Sequence, residues 1–252
     1  HQLEAIEGVV KGLKDKDRGQ LLMCCGTGKT FTSLWIKERL KANSTLILVP
    51  SLGLLAQTLR EWTFARNKNF DVLCVCSDET VGKYEDPTMG HSSDLGFPIT
   101  TDSNEIREFL NKKGGKVIFS TYQSSPKIVQ VQKSKRANEF DLVFADEAHR
   151  CAGKLSEKYG SVMDSTKIKA VKRVFMTATP RTYTTTFKKS AEARGVDIAS
   201  MDDESVFGSV LHELKFSQAI ERGLLTDYRV VIVGVDDPMI HNWIQNRELL
   251  RT

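Results

Sequence analysis

Met23-Cys24-Cys25-Gly26-Thr27-Gly28-Lys29-Thr30, MCCGTGKT, lies between a short apolar run and a segment of helical period. Gln20 to Cys24 reads as a buried strand, and Phe31 to Leu40 places its apolar residues at helical spacing. Strand, glycine turn and helix in that order form the setting in which a chain holds phosphate. The glycines let successive backbone N–H groups point at phosphate oxygens, Lys29 supplies a mobile cation, and the Thr30 hydroxyl suits magnesium. The first position of the pattern G-x-x-x-x-G-K-[ST] is Met23 rather than glycine, while the close-approach glycines Gly26 and Gly28 are both present. An ordinary strand-to-helix turn fits the same residues, and the segment alone does not separate the two.

A chain of 252 residues holds one large domain or two small ones, and 40% apolar content is that of a globular core. The formal net charge of +4 permits a polyanionic partner without demanding one. Cysteines stand at 24, 25, 74, 76 and 151 with no C-x-x-C pair, which argues against a zinc site. An odd cysteine count suits a reducing cytosol, so a cytoplasmic location is expected. Cys24 and Cys25 read as small apolar residues at a strand end. No apolar run reaches the roughly 18 residues that span a bilayer, and no signal-peptide pattern opens the chain, so no membrane partner is expected. The chain begins at His1 without an initiator methionine, as a segment of a longer protein would.

Apolar, β-branched runs recur at Leu21 to Cys24, Thr45 to Val49, Val72 to Cys76, Val117 to Thr121, Leu142 to Ala145, Val174 to Thr177 and Val230 to Val235. Helical patterns alternate with them at Leu3 to Lys14, Thr32 to Leu40, Gly53 to Phe64, Asn104 to Lys112, Thr182 to Ala193 and Ser217 to Arg222. Runs apolar on both faces, alternating with helices, predict an α/β fold with a mainly parallel sheet covered by helices on both faces. Residues 77–103 break the alternation, being polar and carrying Pro87 and Pro98, and are expected to form a surface insertion. After Phe216 a short helix closed by Gly223 leads to the run ending at Val235, where Asp236-Asp237-Pro238 stops it. That run reads as the first strand of a neighbouring domain.

Phe140 to His149, FDLVFADEAH, is an apolar strand that delivers two adjacent acids at its end. Ligands of open α/β sheets bind at the carboxyl ends of strands, which is where Asp146 and Glu147 emerge. One acid then serves magnesium while the other orients and deprotonates an attacking water. Arg173 to Pro180, RVFMTATP, ends a third buried strand with two hydroxyls and a proline stop. The order GTGKT, DEAH, TATP resembles motifs I, II and III of superfamily 2 helicases and nucleic-acid translocases.

Further matches extend the likeness over most of the chain. Gln2, ahead of the glycine turn, resembles the family's upstream glutamine that reads adenine. Val49 to Gln57 resembles motif Ia, and Ser120 to Ser124 resembles the family's T-Y-Q-S segment. The tail AIERGLLTDYRV is similar to the crossover between motor lobes in restriction-enzyme translocase subunits of types I and III and their single-polypeptide relatives. Taken alone, the motif Ia and T-Y-Q-S stretches suit a helix cap or a turn equally well.

The resemblance implies a RecA-like ATP-binding lobe over residues 1–215 and a linker with the truncated start of a second RecA-like domain over 216–252. It implies ATP and Mg2+ as cofactors, with Gln2, Gly26, Thr27, Gly28, Lys29 and Thr30 around the nucleotide. Lys29, Asp146 and Glu147 become the catalytic residues, Thr30 and Asp146 the magnesium ligands, and His149, Thr177 and Thr179 the coupling residues. Pro50, Ser51, Gln57, Thr121, Tyr122 and Gln123 become contacts to the sugar-phosphate backbone, with duplex DNA as the implied track and restriction or phage defence as the setting. Arg181 reads as a solvated charge. An arginine finger comes from the second lobe in this family, so the chain alone is expected to hydrolyse ATP poorly. An RNA helicase lobe shares every motif, and a nucleotide-dependent nucleic-acid scaffold without translocation is the alternative outside motor enzymes.

Overall fold

The computed structural model describes residues 1–76, 97–134, 137–154 and 157–227. Among these, ten strands form: β1 (Arg18–Met23), β2 (Ser44–Val49), β3 (Asp71–Val75), β4 (Ile99–Thr100), β5 (Lys116–Thr121), β6 (Phe140–Ala145), β7 (Gly153–Lys154), β8 (Ala170–Thr177), β9 (Ile198–Ala199) and β10 (Ser209–Leu214). Eight of them make one sheet in the order β10-β1-β8-β6-β2-β5-β3-β4, and β7 pairs with β9 as a separate antiparallel ribbon. Every pairing in the large sheet is parallel.

The helices are α1 (Gln2–Gly12), α2 (Lys29–Arg39), α3 (Leu52–Ala65), α4 (Ser103–Asn111), α5 (Ser125–Gln132), α6 (Glu157–Gly160), α7 (Thr185–Glu192), α8 (Glu204–Phe207) and α9 (Phe216–Glu221). Successive strand residues point to opposite faces, and the core divides accordingly. Leu21, Met23, Ile47, Val49, Phe119 and Phe144 meet α1, α2, α3 and α9, while Leu22, Leu46, Leu48, Ile118 and Val143 meet α4, α5 and α8. Burial on both faces explains why these strands read as continuous apolar runs. The α/β expectation therefore holds, with helices on both faces of a parallel sheet.

Local chemistry fixes the helix starts. The Ser51 hydroxyl accepts from Leu54 N at 3.3 Å to open α3, and the Asp102 carboxylate accepts from Asn104 N and Glu105 N at 2.7 and 3.0 Å to open α4. Pro126 occupies the first turn of α5, where its missing N–H costs nothing.

Three sequence expectations change. The predicted insertion 77–103 ends earlier, because Ile99–Thr100 pairs in parallel with Cys74 and Val75 and Asp102 caps α4; residues 77–96 lie outside the described residues. The helix expected from Thr182 begins at Thr185, since the Thr184 hydroxyl accepts from Phe187 N at 3.3 Å and so caps it. Strand β10 was not predicted, and it extends the sheet beyond β1. The strand expected at Val230 to Val235 lies outside the described residues. Among the described residues no helix is long and apolar enough to cross a membrane.

Candidate functional site

The strand registers bring the predicted motifs to one edge. Leu22 pairs with Thr177, Met23 with Leu214, Leu48 with Ala145 and Val49 with Thr121. All these residues are the last or next-to-last of their strands, so the glycine turn, the acid pair, the TATP segment, Pro50-Ser51 and the Tyr122 turn leave the sheet side by side. That is the edge on which parallel α/β sheets bind ligands.

The glycine turn is held by its own polar atoms. Thr27 Oγ1 donates to Cys24 O at 2.7 Å, and Gly26 and Gly28 take left-handed φ values of 79° and 81°. Residues with a Cβ rarely accept such angles, which accounts for glycine at both places. Gly28 is the N-cap of α2, so the helix N-terminus and its unpaired N–H groups face the turn. Met23, where the pattern has glycine, is still inside β1 and fully buried; its carbonyl accepts from Lys29 Nζ at 3.1 Å. A strand residue there needs no glycine conformation. Gln2 Nε2 donates to Gly28 O at 3.4 Å, and a His1 ring nitrogen lies 3.1 Å from Thr27 O. The structure thus sets Gln2 directly beside the turn.

Asp146 and Glu147 follow β6. Asp146 N donates to Leu48 O at 2.9 Å, and Glu147 N donates to Asp146 Oδ1 at 2.9 Å. Glu147 adopts φ 48° and ψ 46°, a left-handed conformation that costs a non-glycine residue about 1–2 kcal/mol. Burial raises the Asp146 carboxyl to about 6, with the Glu147 charge adding to the rise and the Lys29 ammonium opposing it. The Lys29 ammonium thus lies near enough for its charge to act on the Asp146 carboxyl. Glu61 on α3 adds a weaker like charge that sequence reading did not identify, and no pattern in the sequence marks it.

His149 joins the acid turn to β8. Its Nδ1 lies 2.8 Å from Thr177 Oγ1 and 3.3 Å from Glu147 Oε2, and Thr179 N donates to Thr177 Oγ1 at 3.2 Å. Burial lowers the His149 pKa; Glu147 opposes the fall, while Arg150 and Arg181 add to it. The three expected coupling residues thus form one hydrogen-bonded set. Arg181 is exposed, as expected of a solvated charge, and its charge adds weakly to the fall at His149.

The expected nucleic-acid contacts divide. Ser51 and Gln123 are half-buried and Gln57 is exposed, its amide donating to Glu61 Oε1 at 2.8 Å. Pro50 is buried, as are Thr121 and Tyr122. Thr121 Oγ1 donates to Ser124 Oγ at 3.2 Å and the Tyr122 hydroxyl donates to Asp146 O at 2.7 Å. This corrects the expectation for those two side chains, because an enclosed hydroxyl already paired inside the protein does not reach a strand outside it.

The chain is 28% identical over 249 residues to the probable helicase A859L of African swine fever virus (isolate Tick/Malawi/Lil 20-1/1983), covering 98% of this chain and 25% of the relative. It is similar to a nuclease-deletion mutant of the Type ISP restriction-modification enzyme LlaGI solved with a DNA substrate mimic, with a TM-score of 0.69, 35% identity, and coverage of 98% of this chain and 22% of that one. It is also similar to the ATP-dependent Type ISP restriction-modification enzyme LlaBIII bound to DNA, with a TM-score of 0.73, 38% identity, and coverage of 90% and 16%. The chain thus spans about a quarter of the length of the curated relatives it matches. Its fold is that of a RecA-like first lobe of superfamily 2 helicases, close to those of restriction translocases. The ResIII family model, described as the type III restriction enzyme, res subunit, matches residues 1–182, and the chain belongs to that family.

Proposed function

We propose that this chain is the ATP-binding and ATP-hydrolysing first motor lobe of a DNA translocase or helicase that serves DNA restriction or phage defence in the cytoplasm. The observation that carries the reading is the meeting of Lys29, the α2 N-terminus and the Asp146–Glu147 pair at one carboxyl edge. A cation, a helix N-terminus and a half-buried carboxylate suit a magnesium polyphosphate. Magnesium, when bound, neutralises charge on the phosphate oxygens. Thr30 and Asp146 hold the metal, Lys29 compensates the β- and γ-phosphates, and Gln2 meets adenine beside the turn. Glu147 takes the proton from the attacking water, and His149, Thr177 and Thr179 relate that step to strand contacts.

The half-buried Ser51, the exposed Gln57 and the half-buried Gln123, with the backbone at Pro50, contact the sugar-phosphate chain of duplex DNA without reading its sequence. The likeness to two DNA-bound restriction-modification enzymes favours DNA over RNA. Residues 1–215 form this lobe, and 216–252 lead to a second RecA-like lobe that supplies an arginine finger.

ATP hydrolysis by the complete protein, compared across duplex DNA, single-stranded DNA and RNA, tests the reading. Duplex DNA is expected to stimulate most. Glu147→Gln is expected to lower turnover by about 10²–10⁴ while ATP still binds. Wild-type turnover in that variant would leave a nucleotide-dependent scaffold as the better account, and preferential stimulation by RNA would replace the DNA track.

A further inference from the structure

Two turns at the carboxyl edge are joined by one phenol. The short 3-10 turn Tyr122–Ser124 follows β5, and the acid turn follows β6. Those strands are not neighbours, since β2 stands between them. Tyr122 crosses the end of β2 and donates to Asp146 O at 2.7 Å.

The phenol is built in firmly. Its ring is fully buried and stacked on Tyr159, with centroids 4.9 Å apart and planes 30° apart. Cys151 adjoins the hydroxyl. Burying a hydroxyl is unfavourable unless it is paired, so a ring needed only to fill space would be better as phenylalanine. The acceptor is also specific. Asp146 O belongs to the peptide whose N–H, on Glu147, turns back to the Asp146 carboxyl at 2.9 Å. Fixing that carbonyl fixes the peptide plane, and with it the left-handed backbone from which Glu147 Oε2 comes within 3.3 Å of His149 Nδ1.

We propose that Tyr122 is a positioning residue for hydrolysis: its hydroxyl orients the Asp146–Glu147 peptide and ties the general base to the turn that carries Gln123. The role rests on the reading of Glu147 as that base. A strand contact at Gln123 then reaches the acid pair through one hydrogen bond rather than through β2. The adjacent residues of the T-Y-Q-S segment thereby divide the work, with Gln123 half-buried and Tyr122 enclosed.

Steady-state ATPase of the complete protein, with and without saturating duplex DNA, tests this with Tyr122→Phe, Cys151→Ala and Glu147→Gln measured beside the wild type. Deleting one hydroxyl leaves the ring stack in place, so Tyr122→Phe folds, and melting curves check that it does. Tyr122→Phe is expected to lower kcat about tenfold and to reduce the DNA-stimulated ratio, with KM for ATP within about twofold. Cys151→Ala disturbs the same pocket without touching the Asp146 carbonyl and is expected to keep wild-type kcat. Wild-type kcat and stimulation in Tyr122→Phe would reduce the phenol to packing. Equal losses in Tyr122→Phe and Cys151→Ala would assign the effect to the pocket and overturn the hydrogen-bond role. If Glu147→Gln is inactive and Tyr122→Phe unimpaired, the positioning role alone falls; if Glu147→Gln retains turnover, the base assignment falls and takes the positioning role with it.

Discussion

Burial raises the Asp146 carboxyl to about 6, against an ordinary aspartate value of 3.8. A carboxyl whose pKa is higher in the folded than in the unfolded chain binds more protons when folded between those two values. Stability therefore falls as pH rises through that window, and the full cost of an ionised, half-buried carboxylate is present above it. Asp146→Asn removes the charge and keeps an oxygen to accept from Glu147 N. In magnesium-free buffer the variant is expected to be more stable than the wild type by about 1–3 kcal/mol at pH 7.5, and the difference should vanish near pH 4. Thermal melts across pH check this; coincident curves at pH 7.5 would mean that the carboxyl is better solvated than the structure shows. The same residue shows what sequence reading does reach. Lys29, Thr30, Asp146 and Glu147 sit one to several positions beyond the ends of apolar strands, so the pattern itself places them at a sheet edge. Tyr122 stands one residue beyond β5 as well, yet the direction of its side chain depends on Tyr159, Cys151 and Asp146, which no local pattern brings together.

Among elements, α3 does more than cover the sheet. Trp62 is fully buried and meets Phe70, Phe119 and Phe144 edge-on, with centroids 5.8 to 6.2 Å apart. Its indole N–H donates to Thr30 O at 3.1 Å and to Ser33 Oγ at 3.3 Å, so α3 holds the first turn of α2 in place. Trp62→Phe keeps an aromatic ring but loses both hydrogen bonds and some volume, and is expected to cost about 2 kcal/mol. Trp62→Ala is expected to cost about 3–5 kcal/mol. Urea unfolding monitored by circular dichroism measures both, and an unchanged stability in Trp62→Phe would show that the indole N–H matters little. The α3 pattern was legible because fourteen helical residues repeat their apolar face several times. Strand β10 was not, since Ser209–Leu214 alternates little, carries His212 and Glu213, and is buried fully only at Leu214. Such a strand, paired on one side among the described residues, lacks the burial that runs through the whole of β2 and β5. Helix α5 is short and rich in β-branched residues, though Ser125-Pro126 was a readable start signal.

Across the whole molecule, stretches far apart in sequence converge on the glycine turn. Gln2 and His1 engage the carbonyls of Gly28 and Thr27, and Cys24 N donates to Leu214 O at 3.1 Å at the end of β10. Beyond α9, Leu225 packs so close to Gly26 that a Cβ there would stand 3.3 Å from its Cδ2. Arg222 pairs with Glu4 at 2.8 Å and so links α9 to α1, although both side chains are exposed and such a pair contributes little to stability. On the proposed function, a nucleotide that orders the turn acts directly on residues 216–225. A non-hydrolysable ATP analogue with magnesium is expected to slow amide hydrogen exchange at 216–225 as well as at 24–30 in the complete protein. Gly26→Ala places a Cβ at φ 79° and against Leu225, and is expected to cost about 1 kcal/mol in stability and to weaken analogue binding. It should also diminish the added protection at 216–225, because it disturbs the contact through which the turn meets that segment. Protection confined to 24–30 in the wild type would show that the Leu225 contact is passive packing.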